Sequence, residues 1–245
     1  MRYFVITDIH ANRQALDAVI EDAERLGYDE VLVLGDLVGY GGAPDEVIDR
    51  TLALKPSALI RGNHDKVCAG LESAALFNDV ARVSAEWTAS ILTAKHRKLL
   101  ADLKKGPILV SSQIEICHGA PFDEDHYIFD GGDAARAIDV ARGRICLFGH
   151  THVPAIYTTV GDPVEHAEEL EEDELHLPKT GPALLNVGSV GQPRDGDPRA
   201  AYGLLDLQKN TLRLRRVPYD IKGAQTDIRN AGLPAWLGQR LDKGQ

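Results

Sequence analysis

Cysteine is scarce in this chain of 245 residues, which contains only three. Cys68, Cys117 and Cys146 are widely spaced and form no CxxC pair. Neither a disulfide framework nor a thiolate zinc site is therefore expected. We interpret all three residues as buried, reduced thiols.

The chain also lacks a continuous apolar run of 18 residues, so we expect neither a membrane-spanning helix nor a membrane partner. Its first residues, MRYFVITDIH, have the pattern of a strand and not of a signal peptide, which predicts a cytoplasmic protein. Basic residues number 27 against 37 acidic ones, a formal charge of −10 that disfavours general nucleic-acid binding. A small anionic substrate is still compatible with this charge, because bound metal ions can supply local positive charge.

No internal repeat and no Ser/Gly-rich linker divides the sequence, which predicts a single domain over residues 1–245. Apolar runs rich in β-branched residues alternate with helical periodicity in the first half, and this pattern predicts a parallel sheet with crossover helices. The second half is mostly strands, which predicts a further mixed or antiparallel sheet. Helices are also expected within 78–104, after a cap at Asp133, and in a C-terminal helical tail over 219–245.

One stretch, residues 161–182, is crowded with carboxylates and lies between two predicted strands. We interpret this insertion as a solvated acidic loop, the alternative being a metal-binding element that uses His166 and His176. Those two histidines, together with His96 and His126, have no matching motif partner. All four are therefore expected to be surface or core residues.

Side chains that can bind metals follow the ends of five predicted strands. In chain order they are Asp8 and His10, Asp36, Asn63 with His64, His118, and His150 with His152. Because ligands of α/β sheets bind outside the carboxyl ends of the strands, all five sets can converge. Each motif alone is equally explained by a turn-forming Asp or a hydrogen-bonded His. Burying all of them together without a cation would be costly, so the combination predicts a metal site.

The types of ligand indicate which metals would bind. Carboxylate and amide oxygens with neutral imidazole nitrogens suit Mn, Fe, Zn, Co or Ni. Without His64, these are seven side chains, which are too many for one ion and fit two divalent ions that share a carboxylate. We expect manganese, with Fe, Zn, Ni or Co as alternatives.

Glycines stand beside several of these ligands. Gly35, Gly62, Gly119 and Gly149 are expected to let the backbone turn sharply and approach the ions closely. In GHTH, one extended segment would direct His150 and His152 to the same side, with Thr151 on the other.

The motifs DIH, GDLVGYG, GNHD, CHG and GHTHVP, in this order, resemble those of the calcineurin-like metallophosphoesterase superfamily, particularly its small prokaryotic YfcE-like group. The run NVGSVGQPRDGDPRAAYGLLD extends the resemblance over residues 186–206. The resemblance implies an α/β fold, a four-layer α/β/β/α sandwich with two mixed β-sheets and two metals between the loops.

The resemblance also implies a role for each motif residue. One ion would be held by Asp8, His10 and His152, the other by Asn63, His118 and His150, with Asp36 as the bridge. A hydroxide between the two ions would attack the phosphorus of a phosphomonoester or phosphodiester, while His64 protonates the leaving oxygen. The expected partner is a small phosphorylated substrate, with a nucleotide as one option. The alternative is a catalytically weak nucleotide-binding or scaffold protein on the same fold.

The second motif departs from the family's protein phosphatases, which have GDxVDRG. Gly39 and Tyr40 stand where those enzymes have Asp and Arg, which argues against protein phosphatase activity. The missing Asp would orient the proton donor, so the orientation of His64 is open. Asp65 either substitutes for it or only braces the turn.

Three further residues are candidates for substrate binding. Arg13, near a helix N-terminus, either contacts a phosphate or lies in solvent. Arg194 either contacts a phosphate or forms a salt bridge within its loop. Tyr40 either stacks on a base or packs on Pro44. The motifs do not predict the oligomeric state.

Overall fold

The computed structural model describes residues 1–159 and 174–245. Its first half alternates strands with helices, as the apolar pattern predicts. The elements are β1 (Arg2–Ile6), α1 (Arg13–Leu26), β2 (Glu30–Val33), α2 (Pro44–Ala53), β3 (Ala58–Leu59) and α3 (Asn63–Cys68). Helix α1 begins where the Asn12 side chain accepts a hydrogen bond from Ala15 N, and it ends at Gly27, whose φ of +77° few other residues adopt. Pro44 occupies the first turn of α2, where its missing N–H costs nothing.

Two helices follow within 78–104, as predicted, and the remaining chain is largely strands. These elements are α4 (Asp79–Ile91), α5 (Ala94–Asp102), β4 (Ile108–Leu109), β5 (Ile114–Ile116), α6 (Gly131–Val140), β6 (Ile145–Phe148), β7 (Ala155–Thr158), β8 (Glu174–His176), β9 (Ala183–Asn186), β10 (Ala200–Asp206) and β11 (Thr211–Val217). The predicted helical tail contains α7 (Ile221–Asn230), α8 (Ala235–Gln239) and a 3-10 turn, Arg240–Lys243.

The strands form two mixed sheets. The first has the order β3-β2-β1-β10-β11-β8, and the second has the order β4-β5-β6-β9-β7. In the first sheet β1, β2 and β3 are parallel, whereas β10 joins β1 antiparallel. The second sheet is mixed, which confirms the further sheet that the strand-rich second half predicts. The second half also contributes strands to the first sheet, which we had not expected. Its strands β8, β10 and β11 complete the first sheet, because the β10–β11 hairpin supplies the partner that the free edge of β1 needs.

Side-chain alternation along β1 shows how the layers stack. Tyr3 and Val5 lie in an apolar cluster with Ile116 and Leu147 of the second sheet. Phe4, on the opposite face of β1, lies in a cluster with residues of α1 and α2. The second sheet likewise packs its other face against α6. This arrangement confirms the four-layer α/β/β/α sandwich.

Three local predictions are corrected. Asp130, not Asp133, caps α6, because its carboxylate accepts hydrogen bonds from the backbone N–H groups of Gly132 and Asp133. Most of the acidic segment 161–182, with His166, lies outside the described residues; of the rest, Glu174–His176 form strand β8 and residues 177–182 are a loop. His176 belongs to β8, where it pairs with Thr211 at the edge of the first sheet.

Two of the histidines without motif partners, His96 and His126, pair with carboxylates. Buried His96 contacts Asp45 and Asp49, and so joins α5 to α2. His126 contacts Asp133 at 2.9 Å.

The three cysteines are free and buried. Within the described ranges, no helix combines the length and the hydropathy needed to cross a bilayer.

A buried carboxylate ties α1 to the first sheet. Asp22 accepts hydrogen bonds from the Tyr202 hydroxyl at 2.7 Å and from Arg215 Nε at 3.1 Å. Burial acts to raise the pKa of Asp22, but the hydrogen bonds from Arg215 and Tyr202 outweigh it and hold that pKa below its ordinary value. The ionised form therefore stabilises the folded chain.

Asp22→Asn should lower the free energy of unfolding by about 2–3 kcal/mol at pH 7, because the Arg215 guanidinium loses its buried counter-charge. The folded-state pKa lies below the unfolded-state value of about 3.9, so this stabilisation is complete above that value and is lost as pH falls through the folded-state pKa. Urea unfolding at pH 7 and pH 3 measures both effects. Exposed Asp102→Asn is the control and should change stability by less than about 0.5 kcal/mol; an equal effect of the two substitutions would contradict the role of Asp22.

Candidate metal centre

The five sets of candidate ligands meet at one edge of the sandwich. Three sets follow the parallel strands β1, β2 and β3 of the first sheet, and two follow the parallel strands β5 and β6 of the second. Because the two sheets pack face to face, the carboxyl ends of these strands lie together. The candidate ligands are all buried: Asp8, His10, Asp36, Asn63, His118, His150 and His152.

Four of these side chains form one cluster. One ligand atom from each of Asp8, His10, Asp36 and His152 lies within 4.8 Å of all the others. His152 Nε2 is 3.3 Å from Asp8 Oδ1, and His10 Nε2 is 3.5 Å from Asp36 Oδ2. Two carboxylate oxygens and two imidazole nitrogens therefore surround one point.

A second cluster shares one member with the first. One ligand atom from each of Asp36, His118 and His150 lies within 4.8 Å of the others. Asp36 Oδ2 is 3.4 Å from His118 Nε2, and Asn63 Oδ1 is 3.2 Å from that same nitrogen. Asp36 thus lies between the clusters through Oδ2, while its Oδ1 accepts a hydrogen bond from the backbone of His64 at 2.9 Å.

The four imidazoles are each oriented by a hydrogen bond to a backbone carbonyl. His10 Nδ1 donates to Val38, His118 Nδ1 to Leu34, His152 Nδ1 to Gln192 and His150 Nε2 to Asp125, at 2.6–3.1 Å. A carbonyl can only accept, so each of these nitrogens carries the proton in a neutral ring. The opposite nitrogen then directs a lone pair into the clusters, as in histidines that bind metals.

These lone pairs face each other at short distances. His10 Nε2 lies 3.1 Å from His152 Nε2, and His118 Nε2 lies 3.1 Å from His150 Nδ1. Neutral rings in these tautomers have no proton to place between the two nitrogens, so each contact is repulsive unless a metal ion, or an additional proton on one ring, supplies positive charge. The donor set of buried carboxylates and imidazoles therefore fits divalent metal ions.

The pKa shifts of the clustered histidines also indicate that the carboxylates favour a positive charge beside them. Burial lowers the pKa of His150 to about 3 and lowers that of His10 well below its ordinary value, which keeps both rings neutral. Burial also acts to lower the pKa of His118, but the Asp36 carboxylate outweighs it and raises that pKa to about 10. The paired carboxylates thus favour a positive charge at this point, which a divalent cation also provides.

The backbone at the ligands is strained. Five of them have positive φ: Asp8 (+52°), His10 (+49°), Asp36 (+53°), His150 (+68°) and His152 (+61°). Non-glycine residues rarely adopt this region, and such strain concentrates at functional sites. The segment with His150 and His152 is therefore not extended, which corrects our expectation. The left-handed residues at both ends of Thr151 direct the two rings inward, while Thr151 itself accepts a hydrogen bond from Asn186.

Two of the predicted glycines leave room for the carboxylates. A Cβ on Gly62 would lie 2.1 Å from Asp36 Oδ1, and one on Gly149 would lie 2.7 Å from Asp8 Oδ2. Any larger residue would push a carboxylate out of its cluster.

His64 lies beside both clusters, and packing fixes its ring. Its centroid lies 4.4 Å from that of Tyr40 and 4.6 Å from that of Phe77, and its Nδ1 is buried with no hydrogen-bond partner. A Cβ on Gly39 would lie 2.3 Å from this nitrogen, so the site has no room for a carboxylate at position 39. Burial lowers the pKa of His64 to about 4.

Asp65 does not take the place of the missing carboxylate. Its Oδ1 accepts hydrogen bonds from the backbone of Leu37 and Val38, and its Oδ2 accepts one from Gly62. Asp65 therefore uses both carboxylate oxygens to stabilise the turns that carry Asp36 and Asn63, and it does not orient the His64 ring.

Of the three predicted substrate-binding residues, Tyr40 and Arg194 lie near the clusters and Arg13 does not. Arg13 is not brought to the clusters, because its guanidinium pairs with Asp227 at 3.5 Å and lines a separate cavity. Tyr40 packs between His10 and His64 and is 7% exposed, and its stacking on a base stays a prediction. Arg194 does lie nearby, with its guanidinium carbon 5.7 Å from the Tyr40 ring centroid.

Two aromatic residues at the site, Phe77 and Tyr127, belong to none of the sequence motifs. A cavity of about 320 Å³ next to the clusters is lined by Asn63, His64 and His150, and also by Phe77 and Tyr127. The Tyr127 ring stacks on His150 with centroids 3.7 Å apart. Sequence reasoning missed both because isolated aromatic residues in loops resemble ordinary packing residues.

Comparisons with known proteins identify the family. Residues 1–210 match the model of the calcineurin-like phosphoesterase superfamily domain. The chain belongs to this superfamily, as its motifs predicted.

Similar proteins of about the same length occur in archaea and bacteria. The chain is 34% identical to an uncharacterised protein of Methanocaldococcus jannaschii, over 98% of this chain and 97% of that one. A crystal structure of a metallophosphoesterase from Sphaerobacter thermophilus superposes with a TM-score of 0.89 at 35% identity, covering 100% of this chain and 99% of that chain. A hypothetical protein of Pyrococcus horikoshii shares the fold, with a TM-score of 0.81 at 21% identity over 100% of this chain and 98% of that chain.

His152→Ala should weaken Mn²⁺ binding by about 10- to 100-fold or more, because it removes one nitrogen from the first cluster. Equilibrium dialysis followed by metal analysis measures the affinity, and circular dichroism checks the fold. His126→Ala, which removes an imidazole outside both clusters, is the matched control and should bind Mn²⁺ like the unmodified chain. Unchanged affinity in His152→Ala would show that the first cluster does not hold the metal.

Proposed function

We propose that the protein is a dinuclear, metal-dependent phosphoesterase that hydrolyses phosphomonoesters or phosphodiesters. The observation that supports it best is the pair of clusters that share Asp36, each with imidazole lone pairs directed inward. Asp8, His10 and His152 would hold one ion and Asn63, His118 and His150 the other. We favour manganese, which suits mixed oxygen and imidazole ligands.

The metals would supply an acidified water as the nucleophile and neutralise charge on the phosphoryl oxygens. Hydrogen bonds within the chain position the residues that would bind these metals. Backbone carbonyls hold the imidazoles in the metal-binding tautomer, and backbone N–H groups of His64 and His150 hold Asp36 and Asp8. These bonds form on folding, so the site needs little reorganisation when it binds its ligands.

His64 would donate a proton to the leaving oxygen. Its Nδ1 is enclosed, so Nε2 is the nitrogen that would serve the cavity that His64 lines. Burial keeps the ring neutral in the free protein, because it lowers the pKa of His64. The negative charge of a bound phosphate ester favours the protonated ring, so substrate binding would prepare the donor.

The Arg194 guanidinium would contact the phosphate. Arg194 lines a cavity of about 570 Å³ with Tyr40 and Tyr127, and its backbone N–H donates to the His152 carbonyl at 3.3 Å. A small phosphorylated molecule is the substrate class that this combination of metal ligands and arginine suits.

A catalytically weak scaffold or nucleotide-binding protein was the alternative. A scaffold would not need the strained backbone at five ligand positions, because such strain persists only where the surroundings impose it. We therefore favour the enzyme.

The Mn²⁺-loaded protein should hydrolyse p-nitrophenyl phosphate or bis-p-nitrophenyl phosphate, and EDTA should abolish the reaction. Asp36→Asn should lower kcat/KM by at least about 100-fold, because both clusters lose the charge they share. Asp133→Asn removes a carboxylate that pairs with a histidine outside the clusters, and it should keep the original rate. Full turnover in Asp36→Asn, measured by release of p-nitrophenol, would refute the role of Asp36.

A second kinetic comparison tests His64. His64→Ala should reduce kcat by about 10²- to 10⁴-fold with an alkyl phosphate, whose leaving oxygen needs a proton. The loss should be under about tenfold with p-nitrophenyl phosphate, whose leaving group departs as an anion. His126→Ala serves as the control with both substrates. Equal losses of kcat with the two substrates would show that His64 has only a structural role.

A further inference from the structure

A groove extends from the metal centre toward the C-terminal helices. The cavity next to the clusters shares Tyr40, Asn78 and Tyr127 with a neighbouring cavity of about 570 Å³. This second cavity is also lined by Arg194, Trp236 and Arg240. A ligand with one end at the metal centre can therefore reach both arginines, and we call this part the arginine groove.

The two guanidinium groups lie close to the same aromatic ring. The central carbon of Arg194 is 5.7 Å from the Tyr40 ring centroid, and that of Arg240 is 5.9 Å from it. Burial, and after it the charge of Arg194, lowers the pKa of Arg240 to about 10. Two like charges that line the same partly buried groove favour the binding of an anion there.

Neither arginine pairs with an Asp or Glu side chain among residues 1–159 and 174–245. Arg194 Nη2 donates to Gln192 Oε1 at 2.9 Å, and its Nε is buried without a hydrogen-bond partner. Arg240 Nε donates to the terminal main-chain oxygen of Gln245. The acidic residue that lines the arginine groove is Asp79, which is exposed and pairs with Arg82. The charge of Arg194 and the Nη donors of Arg240 therefore remain for an anion.

Aromatic faces lie at the same end of the groove. Trp236 is 48% exposed, and one of its sides is covered by the Arg240 guanidinium at 4.4 Å. Tyr127 is 37% exposed where its ring stacks on His150. Exposed aromatic rings beside arginines form a suitable surface for a planar base.

The C-terminal segment holds this end of the groove in place. Leu237 and Leu241 are buried against Tyr40 and Ala81 in one apolar cluster. The packing fixes Trp236 and Arg240, which lie on either side of Leu237 in the chain. Both residues lie beyond position 210, where the family match ends, so membership of the superfamily assigns them no role.

We propose that the arginine groove binds a second anionic group and the planar ring of the substrate. The substrate class is then a nucleotide with at least two phosphates. This proposal rests on the proposed function, which places the scissile phosphorus at the metal centre. Hydrolysis would add water across the P–O bond, so that the hydroxyl stays on phosphorus and the proton goes to the leaving oxygen.

Three ligands that cannot be hydrolysed separate the parts of this proposal. α,β-Methylene-ADP has a base and two phosphorus groups, methylenediphosphonate has the two groups without a base, and methylphosphonate has one group. Isothermal titration into the Mn²⁺-loaded full chain measures the affinity for each. The unmodified protein should bind them in that order of decreasing affinity.

Arg240→Met and Arg194→Met should each weaken binding of α,β-methylene-ADP and of methylenediphosphonate by about 10- to 100-fold, since each removes a charge-assisted hydrogen bond. In Arg240→Met, binding of methylphosphonate, which reaches only the metal centre, should change by less than about threefold. Trp236→Leu should weaken only α,β-methylene-ADP, by about 5- to 100-fold, because it removes a stacking face. Arg229→Met, an exposed arginine of the same segment, is the matched control.

The outcomes distinguish this proposal from the proposed function. Unchanged binding of α,β-methylene-ADP in Arg240→Met, or an equal loss for all three ligands in that variant, would overturn the arginine groove even if p-nitrophenyl phosphate is hydrolysed. The selective losses together with an absence of any hydrolysis would keep the groove and reject the esterase. Arg240→Lys retains the charge and should recover much of the affinity. If Arg240→Met lowers the thermal midpoint, Trp236→Leu decides the test, because it should weaken α,β-methylene-ADP alone.

Discussion

The burial of Asp8 and Asp36 side by side constrains the rest of the site. Each carboxylate is almost inaccessible to solvent, and two such charges in a protein interior require compensation. The structure surrounds them with imidazoles whose other nitrogens are tied to backbone carbonyls. The rings cannot turn away, so their lone pairs converge, and positive charge is needed where they meet. The sandwich therefore supplies a rigid receptor for cations between its two sheets.

Much of this arrangement could be predicted from the sequence, because the relevant signals are local. A β-branched run followed at once by Asp or His places the side chain at a strand end, and parallel pairing then brings several ends together. The helices α1 and α2 were equally clear, since Asn12 and Pro44 mark their starts. The family motifs gave the layer order, which neither periodicity nor composition determines.

Other features depend on contacts between distant residues and had no local signal. One neighbour of β1 is β10, about 200 positions later in the chain, and no local pattern shows that this distant strand completes the first sheet. Arg13 follows a ligand motif but pairs with Asp227, which only the packing of α7 on α1 reveals. Positive φ at His150 and His152 likewise reflects tertiary constraint, because histidine has no strong preference for that conformation.

The pairing of β1 with β10 also affects synthesis of the chain. When the first half has left the ribosome, β1 can pair with β2 on one side, but its other edge has no partner until residues 200–206 emerge. The edge is apolar and carries free backbone groups, the combination that promotes unwanted strand association. A nascent chain of this protein therefore needs shielding during much of its translation, and slow elongation over the second half would prolong that need.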